Sequence, residues 1–202
     1  MSDNYINENY RTAKQRGVVA PKFFAHAALK TSRFEEMTQW FTTVLNAEIV
    51  FKSDLACFMT YDEDHHRIAL LNIPGLSDPE VHSSGVDHLS FTYESIEDLI
   101  ATYERLKGEA IVPFWTILHG PTLSMYYKTP DNGNVELQID CFESPEACME
   151  WFKSGPYDEN PIGIKVDIEE LFERYRNGEP LQSLLKRRRL RDGESFMEHV
   201  VM

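Results

Sequence analysis

The sequence predicts an α+β protein made of two βαβββ modules, with a helical extension at its C-terminus. Three features carry that reading. The order strand, helix, three strands can be traced twice, at a spacing of about sixty residues, longer than a solenoid repeat and suited to a pseudosymmetric pair of sheets. A histidine stands near the start of the first strand in each copy. The second copy ends in a hairpin, Tyr126-Tyr127-Lys128-Thr129-Pro130-Asp131-Asn132-Gly133-Asn134-Val135-Glu136-Leu137-Gln138, where a tight Asp/Asn/Gly turn joins an aromatic strand to one with a carboxylate among apolar neighbours.

Taken in order, residues 1 to about 20 read as a loosely held arm, and residues 21–73 as the first module. Its first strand spans residues 23–29 and carries His26. Thr31 or Ser32 is the expected N-cap, with Glu35 and Glu36 in the first turn, of a helix reaching Leu45. Phe34, Met37, Phe41, Val44 and Leu45 recur at three- and four-residue steps and give that helix one buried stripe. Three short strands follow over residues 48–52, 56–61 and 67–72. A linker with Pro74, Gly75, Pro79, Ser83 and Ser84 separates them from the second module, residues 83–142. There a strand over residues 85–93 carries His88, and Ser95 with Asp98 opens a helix through Lys107 that Gly108 closes. Strands over residues 110–118, 123–128 and 134–140 complete the module. Residues 143–202 read as helices: one started by Ser144-Pro145-Glu146, one over residues 168–176, and an amphipathic stretch over residues 181–190. Their apolar residues suffice to pack on the core or on a second subunit, and a homo-oligomer of two or more copies is expected.

Composition narrows the function. A chain of 202 residues with 42% hydrophobic and 26% charged content is an ordinary globular protein able to bury a core. A net charge of −13 argues against nucleic acid or an anionic membrane as a partner, because phosphate binding relies on clustered Lys and Arg. The one basic run, Lys186 to Arg189 with Arg191, is read as a solvated helix face. Cys57, Cys141 and Cys148 show no zinc-type spacing and are read as small apolar residues in a reducing compartment. The N-terminus lacks the apolar core of a signal peptide and no stretch approaches the roughly 18 apolar residues of a membrane span, so a cytoplasmic location is expected. His82 and His199 are read as surface residues.

The chemistry lies in an asymmetry between the modules. His26 and His88 fall at equivalent places, whereas Glu136 in the last strand of the second module has Ala69 as its counterpart in the first. If the sheets fold toward one another, His26, His88 and Glu136 converge and a fourth position stays empty. Two imidazoles and one carboxylate with open coordination suit non-haem Fe(II) that must bind substrate and oxygen together. Phe24, Phe58, Phe114 and Trp115 are candidates for an aromatic pocket and equally for core.

Ala25-His26-Ala27-Ala28-Leu29, Val86-Asp87-His88-Leu89-Ser90-Phe91 and the Tyr126 to Glu136 hairpin resemble the vicinal oxygen chelate superfamily, and within it the one-domain type I extradiol catechol dioxygenases. The resemblance covers about residues 21 to 142 and implies a half-open barrel of two βαβββ modules. It implies an Fe(II)-dependent enzyme that cleaves a catechol-type aromatic with O2, its metal triad mapping onto His26, His88 and Glu136. Asp64-His65-His66-Arg67-Ile68-Ala69 is similar to the family's His-His segment, which gives His66 the role of acid/base beside the oxygen site. Tyr126 matches the tyrosine that hydrogen-bonds the bound substrate oxygen. His119, in Leu118-His119-Gly120-Pro121, matches the histidine that binds the substrate's anionic oxygen, across a shorter segment. Two alternatives stand beside this: a glyoxalase-like isomerase or lyase using Zn(II), Ni(II) or Co(II), for which a ligand is expected where Ala69 stands, and a metal-free binding protein of the antibiotic-sequestering type.

Overall fold

The computed structural model describes residue 9 and residues 11–78, 80 and 84–201; His82, Pro79, Ser83 and most of the first ten residues lie outside that set. The first module runs β1 (Ala27–Thr31), α1 (Phe34–Leu45), β2 (Glu48–Lys52), β3 (Ala56–Thr60) and β4 (Ile68–Asn72). The second runs β5 (Leu89–Thr92), α2 (Ile96–Gly108), β6 (Trp115–Leu118), β7 (Thr122–Lys128) and β8 (Asn134–Asp140). Each forms its own sheet, in the order β1-β4-β3-β2 and β5-β8-β7-β6, with the first strand parallel to the last and the rest antiparallel. The repeat read in the sequence is therefore a repeat of topology, and the sheets do not close into a barrel.

The helical stripe of α1 is buried as expected, and α2 buries Ile96, Leu99, Ile100, Tyr103 and Leu106 into the same core. Arg105 on α2 joins the modules by donating to the Thr43 and Val44 carbonyls at the C-terminus of α1, where such groups lack helical partners. Ser95 caps α2 by accepting from the Asp98 N–H.

Several boundaries differ from expectation for identifiable reasons. Neither Thr31 nor Ser32 caps α1: its N-cap is Arg33, Thr31 Oγ1 accepts from the Arg33 N–H, and Ser32 Oγ donates to Asp78. The first strand begins at Ala27, not residue 23, because Arg67 Nη1 donates to the Phe24 and Ala25 carbonyls and takes them out of any ladder. In the second module Asn134 Nδ2 does the same to the Asp87 carbonyl, and β5 begins at Leu89. Pro113, which has no N–H, and Ala110 at φ 59° delay β6 to Trp115.

Gly108 does not end α2 as a left-handed cap; Ala110 takes that conformation, with Ala110 N–H bonded to the Lys107 carbonyl and Ile111 N–H to that of Leu106. This is a Schellman ending with alanine where glycine is the favoured residue. Ala110→Gly is expected to relieve roughly 1–2 kcal/mol of left-handed strain against roughly 0.5–1 kcal/mol of added chain entropy. The melting temperature should rise by about 1–4 °C in thermal unfolding; a fall would show that Ala110 is not left-handed in solution.

Beyond Phe142, α3 (Pro145–Lys153), capped by Ser144 as expected, and the short α4 (Pro156–Glu159) lead to a two-residue strand, β9 (Ile164–Lys165). β9 pairs with β6 and extends the second sheet. α5 (Ile168–Arg176) follows as expected, but the stretch read as helical to residue 190 yields only α6 (Leu181–Leu184) before an irregular run and a 3-10 helix over Phe196–His199. His199, expected at the surface, is buried beside Glu194, and Arg187 is half-buried rather than part of a solvated helix face. Among the described residues no helix is long and apolar enough to cross a membrane.

Candidate active site

Strand register assembles the site. Side chains of paired residues share a face of the sheet, and the pairs Ser90↔Glu136, Glu136↔Tyr126 and Tyr126↔Trp115 make one row across β5, β8, β7 and β6. Alternation puts Val135 and Leu137 on the opposite face, in the core, and leaves Glu136 on the functional one, only 4% exposed. His88 precedes Ser90 by two positions and shares that face; its Nε2 lies 3.1 Å from Glu136 Oε2, while its Nδ1 contacts Asp87 Oδ2 at 2.7 Å. The Tyr126 hydroxyl is 3.0 Å from Glu136 Oε1 and 3.0 Å from His119 Nε2, and Trp115 stacks on the Tyr126 ring at 4.7 Å. His119 stands just beyond β6, in phase with Trp115.

Burial sets the protonation of this group. It pushes the Tyr126 phenol well above its ordinary value, an effect that the adjacent Glu136 carboxylate reinforces. It lowers the His119 imidazole, against the partial support of the Ile162 carbonyl and the charge of Glu136. Both rings are thus neutral at pH 7.

The equivalent row in the first sheet is Ala28, Ala69, Phe58 and Phe51, which contains no ligating atom. His26 precedes β1 by one residue, as His88 precedes β5. Its ring lies 4.5 Å from that of His66, which stacks on Phe58 at 5.1 Å. Burial, with help from the neighbouring His26 and His65 rings, lowers the His66 imidazole below its ordinary value. Among the described residues no group of three or more His, Cys, Asp or Glu side chains is gathered as a metal cage. The structure therefore brings His88, Glu136, Tyr126 and His119 together, and His26 together with His66. A cavity of about 340 Å³ lies between the two first strands and is lined by His88, Phe91 and Tyr61 and by the neighbours of His26 and His66, Ala27 and Arg67.

The donor pair fits a divalent cation. Two ligands at about 2.1 Å from one ion and at right angles to each other are about 3.0 Å apart, close to the 3.1 Å between His88 Nε2 and Glu136 Oε2. The mixed nitrogen and oxygen set suits a first-row metal. Of the aromatic candidates, Trp115 and Phe58 line the two clusters, Phe114 lies 6.4 Å from Tyr126, and Phe24 is exposed. The sequence reading missed Asp87, for which adjacency to His88 was the available signal, and Ile162 and Arg187, for which there was none.

Comparison with known proteins agrees with this architecture. Residues 23–137 match the Glyoxalase/Bleomycin resistance protein/Dioxygenase superfamily. Biphenyl-2,3-diol 1,2-dioxygenase 2 of Rhodococcus globerulus is 43% identical over 148 residues, 73% of this chain and 77% of the relative. Biphenyl-2,3-diol 1,2-dioxygenase 3 of the same organism is 39% identical over 171 residues, 84% of this chain and 90% of the relative. The fold is shared with a fosfomycin resistance protein of Listeria monocytogenes solved with Mn(II) and sulfate, at a TM-score of 0.50 and 18% identity over 66% of this chain and 99% of that one.

Proposed function

Because the chain belongs to the Glyoxalase/Bleomycin resistance protein/Dioxygenase superfamily, we propose that it is an extradiol dioxygenase, which opens a catechol-type ring with O2. The carbon–carbon bond beside the two hydroxyl-bearing carbons is cleaved, and both atoms of O2 end in the product. The observation that carries the reading is the contact of His88 Nε2 and Glu136 Oε2 next to the Tyr126 hydroxyl, on a chain so similar to two named diol dioxygenases. His88, Glu136 and His26 are the proposed holders of Fe(II), which when bound supplies Lewis acidity toward the substrate's oxygens and electrons for dioxygen.

The chain's own groups do the rest. Tyr126 and His119 offer adjacent polar atoms to a substrate oxygen, and Trp115 behind them excludes water. His66, its imidazole lowered and therefore unprotonated at neutral pH, accepts a substrate proton and later returns one. Ala69 at the position equivalent to Glu136 has no ligating atom, which weighs against the isomerase alternative. The edge strand β2 leaves Ile49, Val50 and Phe51 about half exposed and supports a homo-oligomer.

The test is enzyme reconstituted anaerobically with ferrous iron and offered a panel of catechols. A yellow ring-fission product with stoichiometric oxygen uptake is expected. Tight zinc binding without oxygen consumption would replace this reading with the isomerase.

A further inference from the structure

The polar groups that surround His119 on its far side all belong to the segment beyond Phe142. Its Nδ1 bonds the Ile162 carbonyl, which can only accept, so Nδ1 carries the proton. A neutral ring then has a bare Nε2, which accepts from the Tyr126 hydroxyl 3.0 Å away. That hydroxyl has one proton and two acceptors at 3.0 Å, His119 Nε2 and Glu136 Oε1. Turned toward His119, it leaves Glu136 Oε1 without that donor, while Oε2 still faces His88 Nε2 at 3.1 Å.

The Ile162 carbonyl is itself held. The Asn160 carboxamide, 2% exposed, accepts from Ile162 N–H at 3.0 Å and Gly163 N–H at 2.9 Å and donates to the Gly163 carbonyl at 2.8 Å. Gly163, at φ 132°, lies so close that a Cβ would stand 2.9 Å from His119 Cα and 2.7 Å from the Leu118 carbonyl. Arg187 then ties loop to histidine: Nη1 donates to the His119 carbonyl at 2.8 Å and the Asn160 carbonyl at 2.9 Å, and Nη2 to the Pro156 carbonyl at 2.7 Å. Its guanidinium lies 5.0 Å from the Trp151 ring and 5.3 Å from that of Tyr157. The same segment braces Trp115, whose Nε1–H donates to the His199 carbonyl at 2.9 Å.

We propose that Asn160 and Arg187 are positioning residues for His119, fixing which imidazole nitrogen holds the proton and thereby how the site receives the substrate's oxygen. The proposal rests on the reading of this site as a catechol site. Packing alone would not need a guanidinium fork divided between the His119 carbonyl and the loop that carries its partner.

The test follows the histidine nitrogens of iron-free protein by long-range ¹H–¹⁵N spectroscopy, and kcat and KM of the iron-loaded enzyme. Wild-type His119 should show a protonated Nδ1 and a bare Nε2. In Arg187→Met, and independently in Gly163→Ala, which keeps both positioning side chains, its two nitrogens should average. KM for catechol should rise about tenfold with kcat within about twofold, the pattern of a lost binding contact. Arg187→Lys should recover part of the loss. Variants that keep the wild-type His119 signals and KM, and lose only yield or melting temperature, would overturn the proposal. If the wild type cleaves no catechol, the proposed function fails while the nitrogen signals still decide this question.

Discussion

Glu136→Ala is expected to purify without iron and without measurable ring cleavage. The fall in metal affinity should exceed the about 10–100-fold that loss of a ligand's outer partner costs, since here an anionic donor itself is removed. The fold should survive. Tyr126 keeps His119 at 3.0 Å and His88 keeps Asp87 at 2.7 Å on Nδ1, so each neighbour retains one partner and only His88 Nε2 loses its own. The stability cost should stay within about 1–3 kcal/mol. Glu136→Gln separates charge from shape: its amide oxygen can still accept from Tyr126, but a neutral donor holds a divalent cation less tightly. Iron content should therefore order wild type, Gln, Ala, read by metal analysis alongside oxygen uptake. An alanine variant that retained iron and turnover would remove Glu136 from the metal site.

Glu136 was legible because strand alternation is a local rule: Val135 and Leu137 are apolar, so the residue between them faces the other way. The topological repeat was legible for a related reason. Equivalent patterns in the two modules gave His26 the place of His88 and Ala69 the place of Glu136, and the registers of β1 with β4 and β5 with β8 put them there. Helix starts at Ser95 and Ser144 were readable because a capping hydroxyl serves N–H groups two or three residues away. What escaped was non-local. No periodicity exists in a two-residue strand, so β9 was invisible, and nothing within the run Lys186 to Arg189 says that Arg187 alone turns inward to three carbonyls and two rings. His199 was read as surface because its partners, Glu194 and the Lys165 N–H, meet it only after the chain has folded back on β6. Whether His26 approaches Glu136 likewise depends on how two sheets incline toward each other, which no spacing within either module encodes.

His66→Ala is expected to keep its iron and lose about 10²–10⁴-fold in kcat, the usual contribution of a positioned acid or base. The ring neighbours His26 at 4.5 Å without belonging to the proposed triad, so metal content should match wild type. Because burial and the nearby imidazoles lower its proton affinity, the basic form prevails at pH 7. Activity that requires this base must fall as pH drops through the lowered value, which places the acid limb of kcat/KM below the ordinary histidine value of about 6.5. That limb should vanish in the variant. His66 also stacks on Phe58, and alanine would remove the packing along with the proton carrier. His66→Phe keeps an aromatic face against Phe58 but cannot carry a proton; if it is as slow as alanine, proton transfer is the function lost. If the phenylalanine variant turns over near the wild-type rate, His66 serves only to pack against Phe58, and the acid/base must be sought among other residues.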